Sequence, residues 1–145
     1  MAQRRVAVLA TEDPLGRPRL VPICFVLAPD ADSFGRARLY SPLDEKPKRT
    51  TDPYRLARVR DLLVLPDATL LVDRWSEDWQ RLGWVRMYAR AELLEPEAGE
   101  RDEHAAAVAA LRAKYPQYAS HRLEERPIIR LSVDRAVSWG DLAPD

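Results

Sequence analysis

The chain has 145 residues, a formal net charge of +0 at pH 7, 46% hydrophobic residues and 32% charged residues. This length and balance predict a single domain over 1–145 with its own core, and they argue against intrinsic disorder. A neutral chain has no overall field that would draw it to nucleic acid or to an anionic membrane, so neither is an expected partner. No apolar stretch approaches the length of a membrane span and no signal peptide is recognisable, so the expected location is cytoplasmic.

The residues that most often mark metal sites and nucleophiles are few. One cysteine, Cys24, excludes an internal disulfide; it lies in an apolar run and is interpreted as a small core residue. His104 and His121 lie in charged or polar stretches and are expected to face solvent. These residues form no zinc pattern and no catalytic triad can be assigned, so no metal site and no catalytic residue is predicted.

The first part of the chain has the pattern of β-strands. Strands are predicted at 6–11, 19–27 and 36–41, and we expect them to form an antiparallel meander. Pro22 interrupts the second strand, which indicates an edge or a bulge because proline has no N–H to donate.

The remaining elements follow in an irregular order. The predicted helices are 54–65 and 97–115, and the predicted strands are 69–73, 82–94 and a last strand or strand pair at 128–133 and 136–139. This order predicts a mainly antiparallel β-barrel with two covering helices. It does not suit a doubly wound parallel sheet, because that fold needs regular alternation of strand and helix.

A basic segment, Lys46-Pro47-Lys48-Arg49-Thr50-Thr51, lies between the third predicted strand and the first predicted helix. Its cations and hydroxyls, next to a helix that starts at Asp52-Pro53, offer the donors that a phosphate group needs. The glycines of a Walker loop or a dinucleotide fingerprint are absent. Taken alone, such a run is more typical of a solvated surface, and the charge of Asp52 opposes a bound anion.

Several motifs occur in a fixed order along nearly the whole chain. They are Leu9-Ala10-Thr11, Gly16-Arg17-Pro18, Leu20-Val21-Pro22-Ile23-Cys24-Phe25, Glu45-Lys46-Pro47-Lys48-Arg49-Thr50, Leu71-Val72-Asp73, Asp78-Trp79-Gln80-Arg81-Leu82-Gly83-Trp84-Val85-Arg86, Lys114-Tyr115-Pro116-Gln117-Tyr118 and Arg126-Pro127-Ile128-Ile129. Together they resemble the pyridoxamine 5'-phosphate oxidase-like superfamily, which has the split β-barrel fold. Within it, the sequence is most similar to the actinobacterial branch that uses the deazaflavin coenzyme F-420 in place of FMN.

The resemblance implies a homodimer with the cofactor in a groove between the subunits. It implies that the basic segment binds the cofactor phosphate and that the cofactor ring lies against the backbone of the second strand. The implied phosphate ligands are Lys46, Lys48, Arg49, Thr50 and Thr51. The implied ring contacts are Pro22, Ile23, Cys24, Tyr40, Ser41, Trp84 and Arg86. For Arg86, a cross-strand ion pair is an alternative to a place in the groove.

Two features depart from the family pattern. Relatives usually begin with a helix before the first strand, whereas only residues 1–5 precede it here. Gly83 stands where a bulky aromatic residue is common before Trp84, and we expect it to widen the pocket or to alter substrate preference.

The function implied by the resemblance is hydride transfer between coenzyme F-420 and a small organic substrate. The alternatives are an FMN-dependent enzyme of the same fold and a non-catalytic flavin- or deazaflavin-binding module. A deazaflavin supplies the hydride chemistry itself, so the absence of an acid–base set is compatible with an enzyme. Arg55 and Arg58 are expected to share a helix face and, with Arg60, to extend the positive field along the charged tail of F-420.

Overall fold

The structure, a computed structural model, describes residues 2–45 and 51–143. Their strands form one seven-stranded antiparallel sheet in the order β2-β1-β5-β6-β7-β4-β3. The strands are β1 (Ala7–Glu12), β2 (Pro18–Ile23), β3 (Val26–Leu27), β4 (Arg38–Pro42), β5 (Asp67–Arg74), β6 (Gly83–Leu94) and β7 (Ile128–Gly140). The helices are α1 (Ala57–Val64) and α2 (Arg101–Lys114), and no helix in this part of the chain is long and apolar enough to cross a membrane.

The path of the chain from β2 to β3 determines the shape of the sheet. The predicted second strand ends at Ile23 and resumes as β3 at the opposite edge of the sheet. Because only Cys24 and Phe25 join these edge strands, the Cα atoms of Ile23 and Val26 are at most about 11 Å apart. The sheet therefore curls until its two edges meet, which is the predicted barrel. We call the Cys24–Phe25 link the seam.

The predicted meander of three strands is wrong. β1 and β2 form a hairpin in which Val8 faces Pro22, but β2 does not pair with the third predicted strand. That strand, β4, pairs with β3 and β7 instead. Pro22 lies in an edge strand, as its missing N–H predicts. The sequence patterns identified the strands, but apart from Pro22 they carried no information on which strands pair.

Two apolar clusters hold the helices to the sheet. The interior of the barrel is filled by side chains that include Leu9, Leu39, Leu70 and Leu131, and α1 closes it with Val59 and Leu62. The second cluster lies between α2 and the β3–β4 side of the sheet. Its members include Val26, Tyr40, Leu111, Tyr115, Tyr118 and Ile128.

The first helix starts later than its predicted boundary. The carboxylate of Asp52 accepts the N–H of Tyr54 at 2.9 Å and caps a single 3-10 turn, Pro53–Arg55. Leu56 is then extended, with φ −64° and ψ 133°, before α1 begins. Arg55 and Arg58 therefore do not share one helix face, and the expectation that they do is wrong. The turn beside the basic segment is also too short to have the dipole of a regular helix.

The C-terminal strand is one element rather than a pair. β7 runs from Ile128 to Gly140 along the whole length of β6, with one shift of register. Tyr88 faces Arg135 and the next residue of β6 faces Val133, so Asp134 is an extra residue, as in a β-bulge. The bulge explains the break between the two predicted strand segments, 128–133 and 136–139.

Gly83 has a structural reason for lacking a side chain. It faces Gly140 across β6 and β7, and a Cβ on Gly83 would lie 2.2 Å from the carbonyl oxygen of Asp141. The chain after Gly140 is held at this position by the N–H of Asp141, which donates to Leu82 O at 2.7 Å, and by Arg74 Nη1, which donates to Asp141 Oδ2 at 3.0 Å. The backbone at Asp141 occupies the space beside Gly83, so the expectation of a wider pocket at this point is wrong.

Candidate functional site

One outer face of the sheet gathers three of the predicted cofactor-binding residues. The cross-strand register runs from Pro22 to Val8, from Val8 to Leu71 and from Leu71 to Arg86. Residues that face each other across strands point to the same side of a sheet, and so do residues two apart along a strand. Pro22, Arg86 and Trp84 therefore lie on one side, opposite to the barrel interior.

This outer face is apolar and open to solvent. Trp84 faces Trp139 across β6 and β7, and Trp139 is 55% exposed. Leu71 in the middle of the face is 37% exposed, and Leu20 at its β2 edge is 65% exposed. Grouped apolar side chains of this size are more common on binding surfaces than on the rest of a protein surface.

Arg86 lies between two aromatic rings on this face. Its guanidinium carbon is 5.5 Å from the ring centre of Trp84 and 5.5 Å from that of Tyr88. The guanidinium carbon of Arg135 also lies 5.5 Å from the centre of the Tyr88 ring. Among the described residues no carboxylate forms a salt bridge with Arg86, and its neighbours across the strands are Leu71 and Val137. The alternative of a cross-strand ion pair is therefore not seen for Arg86 among the described residues, and a place in a cofactor groove remains a prediction.

The other predicted ring contacts lie in different environments. The side chains of Ile23 and Ser41 are buried in and beside the barrel interior, and Ser41 Oγ has no hydrogen-bond partner within 2–45 and 51–143. Cys24 is half-buried and packs with Tyr40 in the cluster beneath α2. The Tyr40 hydroxyl donates to Glu103 Oε1 at 2.6 Å. Contact of these residues with a cofactor remains a prediction, and for 22–24 it would be made by the backbone.

The basic segment itself lies largely outside the described residues. This applies to Lys46, Lys48, Arg49 and Thr50, whose role as phosphate ligands remains a prediction. Thr51 is described: it is exposed, and its carbonyl oxygen accepts from Arg126 Nη2 at 3.0 Å.

A buried polar group lies just before the basic segment. Asp44 is 5% exposed, and its Oδ2 accepts from the hydroxyl of Tyr118 at 2.9 Å. Burial lowers the pKa of Arg58, and the nearby charge of Asp44 partly opposes this shift. The Nε of Arg58 is buried and has no hydrogen-bond partner among the described residues. Of the three arginines that follow the basic segment, Arg58 is therefore the one held near Asp44, while Arg55 and Arg60 are exposed.

The two histidines have structural roles that the sequence did not reveal. His104 is only 3% exposed, and its Nε2 donates to the carbonyl oxygen of Arg126 at 2.7 Å. The Nδ1 of the half-buried His121 accepts the N–H of Glu45 at 3.1 Å. The expectation that both face solvent is wrong for His104. Its place in a charged helix concealed its burial, because a helix presents one face to the core whatever its average composition.

A curled antiparallel sheet whose edges meet at a seam, covered by two helices, defines a split β-barrel. A sequence profile described as pyridoxamine 5'-phosphate oxidase matches residues 1–140, and the chain belongs to this family. Comparison with curated protein sequences gives no significant match.

Several solved structures share the fold at low sequence identity. The conserved hypothetical protein Rv2991 from Mycobacterium tuberculosis has a TM-score of 0.68 and 17% identity, with 94% of this chain and 78% of that chain covered. A FAD-binding protein from Mesorhizobium loti has a TM-score of 0.61 and 20% identity, covering 94% and 84%. HutZ, the heme storage protein from Vibrio cholerae, has a TM-score of 0.65 and 15% identity, covering 94% and 86%. At these identities the similarity concerns the fold.

Proposed function

We propose that the protein is an oxidoreductase that binds the deazaflavin coenzyme F-420 and transfers hydride to or from a small organic substrate. The observation that carries the proposal is the outer sheet face on which Pro22, Trp84 and Arg86 lie together. A flat heterocycle can pack on its apolar part. The Arg86 guanidinium, which no described carboxylate neutralises, is suited to the polar edge of such a ring.

In this proposal the cofactor and the protein have different roles. When bound, a deazaflavin supplies the hydride transfer, and the protein supplies binding, orientation and electrostatics. The basic segment with Lys46, Lys48 and Arg49 would bind phosphate, and Arg86 would favour negative charge on the ring. The outer face would exclude water from one side of the ring.

The same face supports a homodimer. Trp139, Leu71 and Leu20 leave apolar area exposed on one chain, and a second copy that covers the face would also provide the other wall of a cofactor groove. We propose that the dimer forms in this way in the cytoplasm, without a nucleic-acid or membrane partner.

Two alternatives have specific support. An FMN-dependent enzyme gains from the finding that Arg55 and Arg58 do not share a helix face, because an extended cationic track was the main reason to expect the longer tail of F-420. A non-catalytic binding module gains from the heme storage protein among the structural neighbours.

Fluorescence titrations with F-420 and with FMN, at low and high ionic strength, test the proposal. We expect tighter binding of F-420, with the preference decreasing as salt rises, because its additional charges lie on a solvated tail. Equal or tighter binding of FMN at low salt would assign the protein to the flavin-dependent branch. Binding of F-420 without oxidation of its reduced form by any small organic acceptor would favour the binding module.

The role of Arg86 has its own test. Arg86→Gln should weaken binding of the deazaflavin, because it removes the cation that is suited to the polar edge of the ring. Arg90→Gln is a matched control, because Arg90 is an exposed arginine on the same strand and side but faces Asp67. Equal losses of affinity in Arg86→Gln and Arg90→Gln would contradict a specific role of Arg86 at the ring.

A further inference from the structure

The bulge in β7 places one cation on the outer face of the sheet. Val133 packs against the barrel interior, and strict alternation would put Arg135, two positions later, on the same side. Because Asp134 is an extra residue, Arg135 instead faces Tyr88 across β6 and β7 and lies on the outer face. Bulges are frequent next to active sites, where they re-aim a side chain. Here the bulge brings Arg135 beside the candidate cofactor face.

Tyr88 holds Arg135 and Arg86 close to each other. The guanidinium carbons of both arginines are 5.5 Å from the centre of the Tyr88 ring, so they cannot be farther apart than twice this distance. An aromatic ring attracts a guanidinium through its negative face and offers it a surface for stacking. The ring therefore restricts the positions of two positive charges on one face of the sheet.

The charges of these two arginines are not neutralised within the described part of the chain. No carboxylate in residues 2–45 and 51–143 forms a salt bridge with Arg135 or Arg86. The carboxylate next to Arg135 in sequence, that of Asp134, instead accepts from Arg36 Nη1 at 3.3 Å. Two cations that share one ring and have no such counter-charge are suited to negatively charged groups of bound molecules.

A cavity lies next to this pair on the same face. It has a volume of about 340 Å³, and its lining includes Ala10, Thr69 and Tyr88, which face one another across β1, β5 and β6. The space exists because Ala10 and Thr69 have small side chains. The neighbouring row of facing residues contains Pro22 and Arg86 of the candidate cofactor face. A molecule in the cavity would therefore lie beside a ring bound at that row.

The charges around the cavity favour one orientation of an anionic ligand. Glu12 and Asp67 also line the cavity, but they lie two residues beyond Ala10 and Thr69, on the side away from Arg86. Their carboxylates repel negative charge at that side, whereas Arg135 and Arg86 attract it at the side of the candidate cofactor face.

We propose that Arg135 is a specificity-determining residue that binds the negatively charged group, a carboxylate, of a small organic substrate. The inference rests on the proposed function, in which the cofactor ring lies at Arg86 and the substrate lies beside it. Arg86 then serves the polar edge of the ring, Arg135 serves the substrate, and Tyr88 holds the two guanidinium groups. The fork of a guanidinium matches a carboxylate through two parallel hydrogen bonds. The uncharged part of the substrate occupies the cavity.

The test uses a carboxylate and its neutral counterpart as probes. Calorimetry gives the dissociation constants of cinnamate and cinnamamide for the F-420-loaded and the cofactor-free protein. The wild type should prefer cinnamate, and Arg135→Gln should reduce this preference about tenfold, the scale of one charge-assisted hydrogen bond. Arg90→Gln removes the same charge from the same face and is the control. It should change the preference less than about twofold, because Arg90 faces Asp67 rather than Tyr88.

Titration of the same variants with F-420 separates the possible failures. Arg135→Gln should leave the affinity for F-420 within about twofold of the wild type, because a single exposed charge contributes little where it makes no direct contact. If F-420 binds, but the wild type does not prefer cinnamate or Arg135→Gln keeps the preference, the inference is overturned and the proposed function stands. If F-420 does not bind and Arg135→Gln still removes the preference, the proposed function is overturned and the anion site at Arg135 stands.

Discussion

The hydroxyl of Tyr115 lies within hydrogen-bond distance of both backbone groups of Phe25, 3.0 Å from its nitrogen and 2.8 Å from its oxygen. Phe25 is one of the two residues of the seam. Lys114 Nζ donates to the same carbonyl oxygen at 2.9 Å. The last turn of α2 therefore fastens the point at which the two edges of the barrel meet.

Removal of the Tyr115 hydroxyl should destabilise the barrel. Tyr115→Phe leaves the buried backbone groups of Phe25 without this partner, and we expect a loss of about 1–3 kcal/mol in the free energy of unfolding, measured with urea. Tyr54→Phe is the control, since the Tyr54 hydroxyl bonds to Glu95 at an exposed site, and its effect should be about 0–1 kcal/mol. Equal effects of the two substitutions would show that the seam does not depend on Tyr115.

Lys114 should make stability depend on pH. Burial, and then the charge of Arg5, lower the pKa of Lys114 from 10.5 to about 8 in the folded protein. Between pH 8 and 10.5 the unfolded chain therefore binds more protons at this residue, so its contribution to stability rises with pH across this interval. Urea unfolding of the wild type and of Lys114→Met across this interval should show a smaller rise in the variant. Identical pH dependence in the two proteins would contradict the prediction.

Gly83 should tolerate no side chain. A Cβ 2.2 Å from the Asp141 oxygen forces the backbone to move, and Gly83→Ala should cost about 1–3 kcal/mol in the free energy of unfolding. Gly99→Ala is the matched control, because a Cβ there would meet nothing within 4 Å. A neutral Gly83→Ala substitution would mean that the backbone at Asp141 leaves this position at little cost.

The outer face should be a dimer interface. We expect sedimentation at micromolar concentration to show a dimer. Its interface should bury well over about 2,000 Å². Trp139→Glu should shift the equilibrium to monomer, because it places an unpaired charge in the interface. Phe34→Glu changes a residue that is 82% exposed between β3 and β4, and it should leave the dimer intact. A stable wild-type monomer would exclude this assembly.

The basic segment should contribute affinity but not stability. Lys48→Ala and Arg49→Ala should each weaken cofactor binding by about 1.5–3 kcal/mol, the value of a charge-assisted hydrogen bond. Thermal unfolding should change little. Arg101→Ala, at an exposed position at the start of α2, is the control and should bind normally. Normal binding by both variants of the segment would support the interpretation as solvated surface.

The fold could be predicted from the sequence more completely than the environment of the candidate site residues. Strand periodicity and the family resemblance together identified a mainly β barrel with two helices, since alternation of apolar residues is a local signal. The edge position of β3 depends on contacts between residues distant in sequence, which no local pattern records. For the same reason, the family resemblance identified the motif Lys114-Tyr115-Pro116-Gln117-Tyr118 but not the structural role of its tyrosines. Tyr115 and Tyr118 bond to Phe25 and Asp44, which precede them by many residues.

The placement of the site residues was predictable only in part. The strand positions of Pro22, Trp84 and Arg86 sufficed to put them on one face once the register was known. The contacts of Arg126 with Leu43 and Thr51 could not be predicted, because its partners are backbone carbonyl groups, which leave no signature in the residue types around it.

The seam also determines where the barrel opens first. In β5, β6 and β7 the strands have hydrogen-bonded neighbours on both sides, whereas β2 and β3 each have one. Amide hydrogens at the edges of β2 and β3 should therefore exchange with solvent through small local openings. Those of the three central strands should exchange only through larger unfolding events. The Tyr115 hydroxyl bonds to Phe25, which lies between the two edge strands. Its removal should therefore increase the exchange rates of β2 and β3 more than those of the central strands.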